Sequence, residues 1–155
     1  MWGTSSGYCL ARGIVGNYSF GDLIIGMASR RSYHFTEQQV GTFSALVGDA
    51  APVHMDVEFA KRQGFEARIV HGLFVQSVIS GMLGNDIPGP QSVINSLSMK
   101  MHQPVFIGQQ VDYQVEITAL TAAVSAVSLN YSGLVDGKMV ISGKALCSFP
   151  NTSPK

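Results

Sequence analysis

The order of hydrophobic patterns along the chain predicts an α+β fold in which an antiparallel sheet packs on one long helix. One strand-like stretch at 28–35 precedes three helical patterns, and four long strand-like segments follow them without interruption. Strands that follow one another directly form a largely antiparallel sheet. The segment 71–83 is apolar on nearly all sides, which is typical of a buried helix. The 155 residues suit one domain spanning 1–155, with its core at about 22–149.

Capping residues set the limits of the predicted helices. Thr36 and Gln39 have the spacing of a capping box, and Gly48 is a typical helix terminator. Asp56 is the expected N-cap of a second, short helix that Gly64 ends. The long helix 71–83 follows, and a Gly/Pro-rich loop closes it. On the first helix, the periodicity predicts an inward face formed by Val40, Phe43, Leu46 and Val47.

The second half of the chain alternates apolar and polar residues, which is typical of strands. Asp136 and Gly137 mark a hairpin turn between the last two of them. The ends of the chain are weakly patterned, so 1–21 is expected to be an irregular arm or short edge element and 151–155 a frayed tail. The four predicted strands are 92–102, 110–120, 122–134 and 138–149.

The composition excludes several classes of protein. Formal net charge is zero, and no basic run exceeds Arg30-Arg31, which argues against nucleic acid or a charged membrane surface as partner. Hydrophobic residues make up 46% and charged residues 13%, against about 25% charged in average domains. A well-filled core under an uncharged polar surface would explain this, but we favour an apolar surface covered in a homo-oligomer.

The remaining composition signals concern the compartment. No apolar stretch approaches the roughly 18 residues needed to span a bilayer, and the first residues lack the pattern of a signal peptide. Cys9 and Cys147 are far apart in sequence, which fits a reducing compartment, although one disulfide stays open. We therefore expect a cytoplasmic protein.

Asp49 and His54 form the main candidate for chemistry. They lie five residues apart in a loop that Pro52 stiffens, so a carboxylate and an imidazole can face one small space. Such a pair can hold a water molecule, with one group removing a proton and the other delivering one to a substrate. A capping aspartate and a surface histidine would give the same spacing, so the pattern alone leaves both interpretations open.

A second candidate lies where the long helix begins, at His71 and Gly72. Free backbone N–H groups and the helix dipole favour negative charge there, so an enolate oxygen would be stabilised. The alternative is that His71 packs and Gly72 permits close contact with the sheet. Met99 and Met101 share a strand face and are expected in the core or in a substrate tunnel. The four histidines lack metal-ligand spacing, and no metal or cofactor is expected.

Several sequence blocks resemble one known family. FSALVGDAAPVH at 43–54, FA at 59–60 and IVHG at 69–72 resemble the signature of MaoC-like (R)-specific enoyl-CoA hydratases and dehydratases. The resemblance covers about 22–148 and continues through SGMLG at 80–84, PG at 88–89 and PVFIG at 104–108.

This resemblance implies a hotdog fold, an antiparallel sheet wrapped around a long central helix, usually paired as a homodimer. It implies reversible syn addition of water to a trans-2-enoyl thioester of CoA or acyl carrier protein, giving the (R)-3-hydroxyacyl product. Asp49 and His54 correspond to the catalytic pair and Gly72 to the oxyanion-hole residue. Ser80 corresponds to a supporting serine on the central helix, and we group His71 with Gly72 as a substrate-binding candidate.

Two positions depart from the family pattern. Ala51 stands where the family usually has asparagine, and Val47 where it usually has serine or threonine. These departures leave open a non-catalytic protein, and a hotdog thioesterase is a separate alternative to a hydratase. A hotdog thioesterase would release free thiol from acyl-CoA, and a non-catalytic protein would bind the thioester without converting it.

Overall fold

The computed structural model describes residues 9–10 and 16–150, and strands in these ranges form one sheet of seven strands. The strands are β1 (Cys9–Leu10), β2 (Ala28–His34), β3 (Val93–Leu97), β4 (Lys100–Met101), β5 (Gln110–Thr121), β6 (Ala126–Val135) and β7 (Lys138–Ser148). Their order in the sheet is β1-β2-β5-β6-β7-β3, with β4 pairing to β7. Apart from the parallel pair of β1 with β2, the pairings are antiparallel, as predicted.

Four helices lie between β2 and β3, and their ends follow the predicted caps. The helices are α1 (Glu37–Val47), α2 (Pro52–Met55), α3 (Val57–Arg62) and α4 (Gly72–Asn85). The Thr36 hydroxyl accepts the Gln39 N–H at 3.3 Å, and Gly48 ends α1 in the left-handed conformation, with φ of 74°. The Asp56 carboxylate caps α3 by accepting two backbone N–H groups. Caps of this kind satisfy backbone groups that the first and last turns leave unpaired.

Helix α4 packs against the inner face of the sheet and forms the centre of the core. Its side chains Val75, Ile79, Met82 and Leu83 are almost fully buried, and they share one cluster with inward residues of the strands. Alternate residues of β5 point inward and are buried, as the period of a strand requires. This confirms the predicted α+β hotdog architecture, in which the sheet covers a central helix.

Some predicted apolar faces are not covered in the single chain. Leu73, in the first turn of α4, is 65% exposed, so this helix is not buried all round as predicted. Leu46 and Val47 are also exposed, and the inward face of α1 consists of Val40, Phe43 and Ser44. The prediction for α1 is therefore right for Val40 and Phe43 and wrong at the last turn, whose apolar side chains nothing in the single chain covers.

The predicted strand 92–102 is interrupted at Ser98 and Met99. The Tyr131 hydroxyl donates to the carbonyl of Ser98, and Gly143 of β7 lies directly against that carbonyl, where a Cβ would clash. This close approach separates β3 from β4. The predicted strand 122–134 likewise begins late, because Ala122–Val124 forms a 3-10 turn and Ser125 adopts a positive φ of 47°.

The hairpin between β6 and β7 is confirmed. Asp136 and Gly137 both have positive φ, 49° and 77°, as a two-residue turn of this kind requires. Of the predicted irregular arm, residues 1–8 and 11–15 lie outside the described residues, as does the predicted tail at 151–155; Cys9–Leu10 forms the short edge strand. Among the described helices, none is long and apolar enough to cross a membrane.

Candidate active site

The backbone of Asp49 is held in place by two side chains, one from α1 and one from the residue that precedes α4. Gly48 turns the chain at the end of α1, and the Asp49 carbonyl then accepts hydrogen bonds from Ser44 Oγ at 2.6 Å and His71 Nε2 at 2.8 Å. Ser44 and His71 are both 2% exposed. This part of the predicted loop is therefore tied to α1 and to the start of α4.

His54 lies on α2, a four-residue helix within the stretch predicted as a loop around Pro52. Its Nδ1 lies 2.8 Å from the carbonyl oxygen of Ile69. A carbonyl oxygen only accepts hydrogen bonds, so Nδ1 carries a proton and, in the neutral ring, Nε2 carries the lone pair. His54 is 9% exposed, and in this tautomer Nε2 is the ring atom that can accept a proton.

The rings of His54 and His71 are stacked, with centroids 3.8 Å apart and planes at 27°. His71 uses Nε2 to donate to the Asp49 carbonyl, while its buried Nδ1 has no hydrogen-bond partner. Phe43 packs against His71 from α1, at 5.2 Å between ring centroids. The imidazoles are therefore fixed by stacking as well as by hydrogen bonds to the main chain.

The structure brings Asp49, His54 and His71 together, with one donor atom from each lying within 4.8 Å of the others. Three such donors can bind a transition metal in principle. However, the lone pairs of nearly parallel imidazoles run side by side and do not converge on one point. Coordination would require a ring to rotate and give up its bond to Ile69 or Asp49. The arrangement fits proton transfer better than metal binding.

The carboxylate of Asp49 is exposed, and its Oδ1 accepts the main-chain N–H of Ala51 at 3.2 Å. Ala51 is the position where the family usually has asparagine. The contact uses the backbone, so it does not depend on the side chain that this sequence lacks. Val47, the other departure, is exposed and makes no hydrogen bond to the pair through its apolar side chain.

Gly72 begins α4, directly after His71. The first N–H groups of a helix have no acceptor within the helix, and the dipole makes this end favourable for anions. A Cβ on Gly72 would lie 3.7 Å from Met101 Cγ and 3.9 Å from Met99 Cε. The two methionines thus lie over the helix start. Met99 is 38% exposed, so its predicted place in the core is wrong for the single chain, and a substrate-tunnel role of the two methionines stays a prediction.

Ser80 is not brought to the pair within this chain. It lies eight residues beyond Gly72 on α4, which corresponds to about 12 Å along the helix axis. Its side chain is exposed, on the face of α4 that the sheet does not cover. Support of the active site by Ser80 stays a prediction.

The sequence reasoning missed Ser44 and the carbonyl of Ile69. The signal for Ser44 was its position four residues after Val40, on the same face of α1, which predicts a buried hydroxyl that needs an acceptor. The role of Ile69 belongs to the backbone, so its side chain gives no signal.

A hotdog domain with Asp49, His54 and His71 clustered beside the start of its central helix is the arrangement that the family resemblance implies. The chain belongs to the MaoC-like family, because the model of the MaoC like domain matches residues 25–131. The family predicted from the sequence is thereby confirmed.

Relatives with assigned activities cover most of this chain. An (R)-specific enoyl-CoA hydratase of Aeromonas caviae is 35% identical over 129 residues, 83% of this chain and 96% of the relative. A 3-hydroxybutyryl-CoA dehydratase of Methylorubrum extorquens is 33% identical, covering 84% of this chain and 83% of the relative. A solved structure of the A. caviae (R)-hydratase superposes with a TM-score of 0.79, covering 83% of this chain and 98% of that one.

Proposed function

We propose that this protein is a hydro-lyase that adds water to trans-2-enoyl thioesters and reversibly dehydrates (R)-3-hydroxyacyl thioesters. The observation that carries the proposal is the convergence of Asp49, the free Nε2 of His54 and the N-terminus of α4 at one place. Hydratases and dehydratases among the relatives support the same reaction class. Asp49 and His54 are the catalytic pair.

The pair handles the protons of the reaction. A water molecule between the Asp49 carboxylate and His54 Nε2 loses a proton to Nε2 while its oxygen bonds to C3 of the enoyl group. The electrons of the C2–C3 double bond move towards the thioester carbonyl, forming an enolate. A proton returns from the pair to C2 on the same face, so the elements of water are added syn and the pair is restored.

The start of α4 stabilises the charge that develops on the thioester oxygen. In this proposal the carbonyl oxygen lies at the N–H of Gly72, where the helix dipole also favours the enolate. In this proposal the acyl group contacts Met101 and Met99, which lie 3.7 and 3.9 Å from the place that a Cβ on Gly72 would take. His71, the residue before Gly72, contacts both Asp49 and His54, so the proposed oxyanion site lies next to the pair.

Crotonyl-CoA distinguishes the candidate activities directly. We expect the purified protein to remove the enoyl absorbance of crotonyl-CoA without releasing free thiol, and to yield a product oxidised by a dehydrogenase specific for (R)-3-hydroxyacyl-CoA. Release of thiol would instead show a thioesterase, and binding without any loss of absorbance would show a non-catalytic protein. Matched acyl-carrier-protein substrates would define the carrier.

We further propose that the protein is a homodimer joined through the edge of the sheet at β3. The support is that β3 ends the strand order and that Val93, 47% exposed, and Ile94 lie on it. An edge strand with exposed apolar residues is a template for pairing with a second strand. Leu73 of α4 adds exposed apolar surface, and most homo-oligomers are symmetric dimers.

The oligomeric state can be measured by light scattering after size exclusion. We expect twice the chain mass for the wild type, and a shift to the monomer for Ile94→Glu, because a buried charge at a paired edge is costly. Ile24→Glu is the matched control, since Ile24 is exposed on the loop before β2. A monomeric wild type would contradict the dimer without affecting the assignment of Asp49 and His54.

For the compartment we propose the cytoplasm. The support is the thiol of Cys147, which is free and buried. Burial raises its pKa to about 11, so this thiol stays protonated and unreactive at neutral pH.

A further inference from the structure

We propose that His71 is a positioning residue that fixes both members of the catalytic pair at once. It donates a hydrogen bond to the main chain of Asp49, and its ring stacks on His54. This role rests on the proposed hydratase function of the pair. It assigns His71 an effect on the reaction through its two neighbours, without contact to the substrate.

The hydrogen bond determines which nitrogen of His71 carries the proton. The Asp49 carbonyl can only accept, so His71 Nε2 is the donor, and the neutral ring has its lone pair on Nδ1. Nδ1 is buried and has no partner. The single N–H of the neutral ring is therefore used on the main chain and is not available to polarise a thioester carbonyl.

The stacking restricts a rotation of the His54 ring that its hydrogen bond still permits. The bond from Nδ1 to the Ile69 carbonyl fixes one point of the ring but permits rotation about that bond. A second ring at 3.8 Å, with planes at 27°, removes that freedom. His71 is itself supported by Phe43, whose ring stacks on Phe74 of α4 at 4.8 Å. The direction of His54 Nε2 is thus set by a packed series of rings.

The same residue fixes the distance between the two members of the pair. Asp49 follows α1 and His54 lies on α2, so the loop between them could change their separation. The bond from His71 to the Asp49 carbonyl, reinforced by Ser44 Oγ, ties that loop to the ring that also packs on His54. Misplacing a reacting group by about 1 Å can lower a rate by around 100-fold, so this connection matters for turnover.

Two variants separate the two contacts. His71→Gln keeps an N–H donor for the Asp49 carbonyl but loses the ring, whereas His71→Phe keeps the ring and loses the donor. We expect each to lower kcat for crotonyl-CoA by about 10- to 100-fold, with KM changed less than about threefold, because the substrate is still bound but the pair is misaligned. His102→Gln is the matched control, since His102 is exposed and bonds to the Ser142 hydroxyl of β7 and not to either member of the pair, and it should keep the wild-type kcat.

A second test changes the other side chain that donates to the Asp49 carbonyl, and it applies even if the His71 variants fail to fold. Ser44→Ala removes the other donor to Asp49, and we expect a fall in kcat of about 3- to 10-fold with unchanged KM, which Ser44→Thr restores in part. Thr42→Ala is its control, because Thr42 also donates to a main-chain carbonyl, that of Gln38, but is exposed and makes no hydrogen bond to Asp49. Equal kcat in Ser44→Ala and Thr42→Ala would overturn the proposal.

The outcomes distinguish this role from the function on which it depends. Folded His71 variants with wild-type kcat would overturn the positioning role while leaving the hydratase intact. A raised KM with unchanged kcat would also overturn it, since that result would show contact with the substrate. A wild-type protein inactive on every enoyl thioester would overturn the proposed function and this role together.

Discussion

Each end of α4 has a polar cluster beside it, and the two clusters differ in how far their polar groups are paired within the chain. At the C-terminal end, Asp86 accepts a hydrogen bond on each carboxylate oxygen, from Arg31 at 2.8 Å and from Ser29 at 2.9 Å. At the N-terminal end, the Asp49 carboxylate is exposed and His71 Nδ1 has no partner. One cluster is complete within the chain, whereas the other leaves donors and acceptors unused.

Electrostatics explains why the two ends need different partners. Negative charge is unfavourable at the C-terminus of a helix, so Asp86 depends on the guanidinium of Arg31 for its stability there. The N-terminus favours negative charge, but the first turn of α4 carries no acidic residue of its own. The comparison indicates that the C-terminal cluster stabilises the fold, whereas under the proposed function the unpaired groups of the N-terminal cluster serve the substrate.

The strongest test of this difference is Asp49→Asn. Removing the charge while keeping the shape should lower kcat/KM for crotonyl-CoA by about 100- to 10,000-fold, because proton transfer by the pair is lost. The melting temperature should stay within a degree or two, since the carboxylate is exposed. Asp112→Asn is the control, as this exposed carboxylate lies on the outer face of β5. Full activity of Asp49→Asn would show that the N-terminal cluster is not catalytic.

The second test removes the N–H at the helix start. Gly72→Pro should lower kcat by about 100- to 1,000-fold if this N–H stabilises the enolate. The fold should accept the change, because proline is favoured at the first position of a helix and His71 has an extended ψ of 130°.

Gly72→Ala is the matched control for that proline variant. It keeps the N–H, and its methyl group would meet only ordinary contacts of 3.7 Å or more. We expect less than a tenfold change in kcat. A comparable loss in the alanine and proline variants would assign the effect to space and not to the hydrogen bond.

The third test addresses the C-terminal cluster through Arg31→Ala. Loss of the guanidinium leaves a half-buried carboxylate at the unfavourable end of α4, and we expect the free energy of unfolding in urea to fall by about 1–3 kcal/mol. Activity per folded molecule should not change. Lys61→Ala is the control, because its ion pair with Glu58 is exposed and should contribute less than about 0.5 kcal/mol. A loss of kcat in folded Arg31→Ala would remove the distinction between the two ends.

Much of the fold was accessible from local signals in the sequence. The capping box at Thr36, the glycine at 48 and the Asp136-Gly137 turn each act through neighbouring residues, and all three are confirmed. The break at Ser98 was not accessible, because it depends on Tyr131 and Gly143, which are distant in sequence. The exposure of Leu73 was missed for a related reason, since periodicity shows that a residue is apolar but not what covers it.

In the candidate site, too, the local features could be predicted from the sequence and the contacts between distant residues could not. The spacing of Asp49 and His54 and the helix start at Gly72 could be read directly, although only the family resemblance decided between catalysis and a capping role. The stack of His54 on His71 joins residues 17 apart through a loop, and the ties to Ile69 and Asp49 use main-chain carbonyls. Backbone acceptors have no identity in the sequence, so these contacts required the structure.

The smallest expected effect concerns Ser29, the second partner of Asp86. Ser29→Ala removes a buried hydrogen bond to a carboxylate that keeps its stronger partner, so the free energy of unfolding should fall by about 1 kcal/mol, less than for Arg31→Ala. Ser32→Ala is the matched control. Ser32 lies on β2 like Ser29 but on the outer face of the sheet, where its hydroxyl donates to Asp112 of β5 and water can replace it. A loss in Ser29→Ala no larger than in Ser32→Ala would mean that the carboxylate of Asp86 finds water once Ser29 is removed. The C-terminal cluster would then be open to solvent like the N-terminal one, and burial alone would not explain why only one of them is completed within the chain.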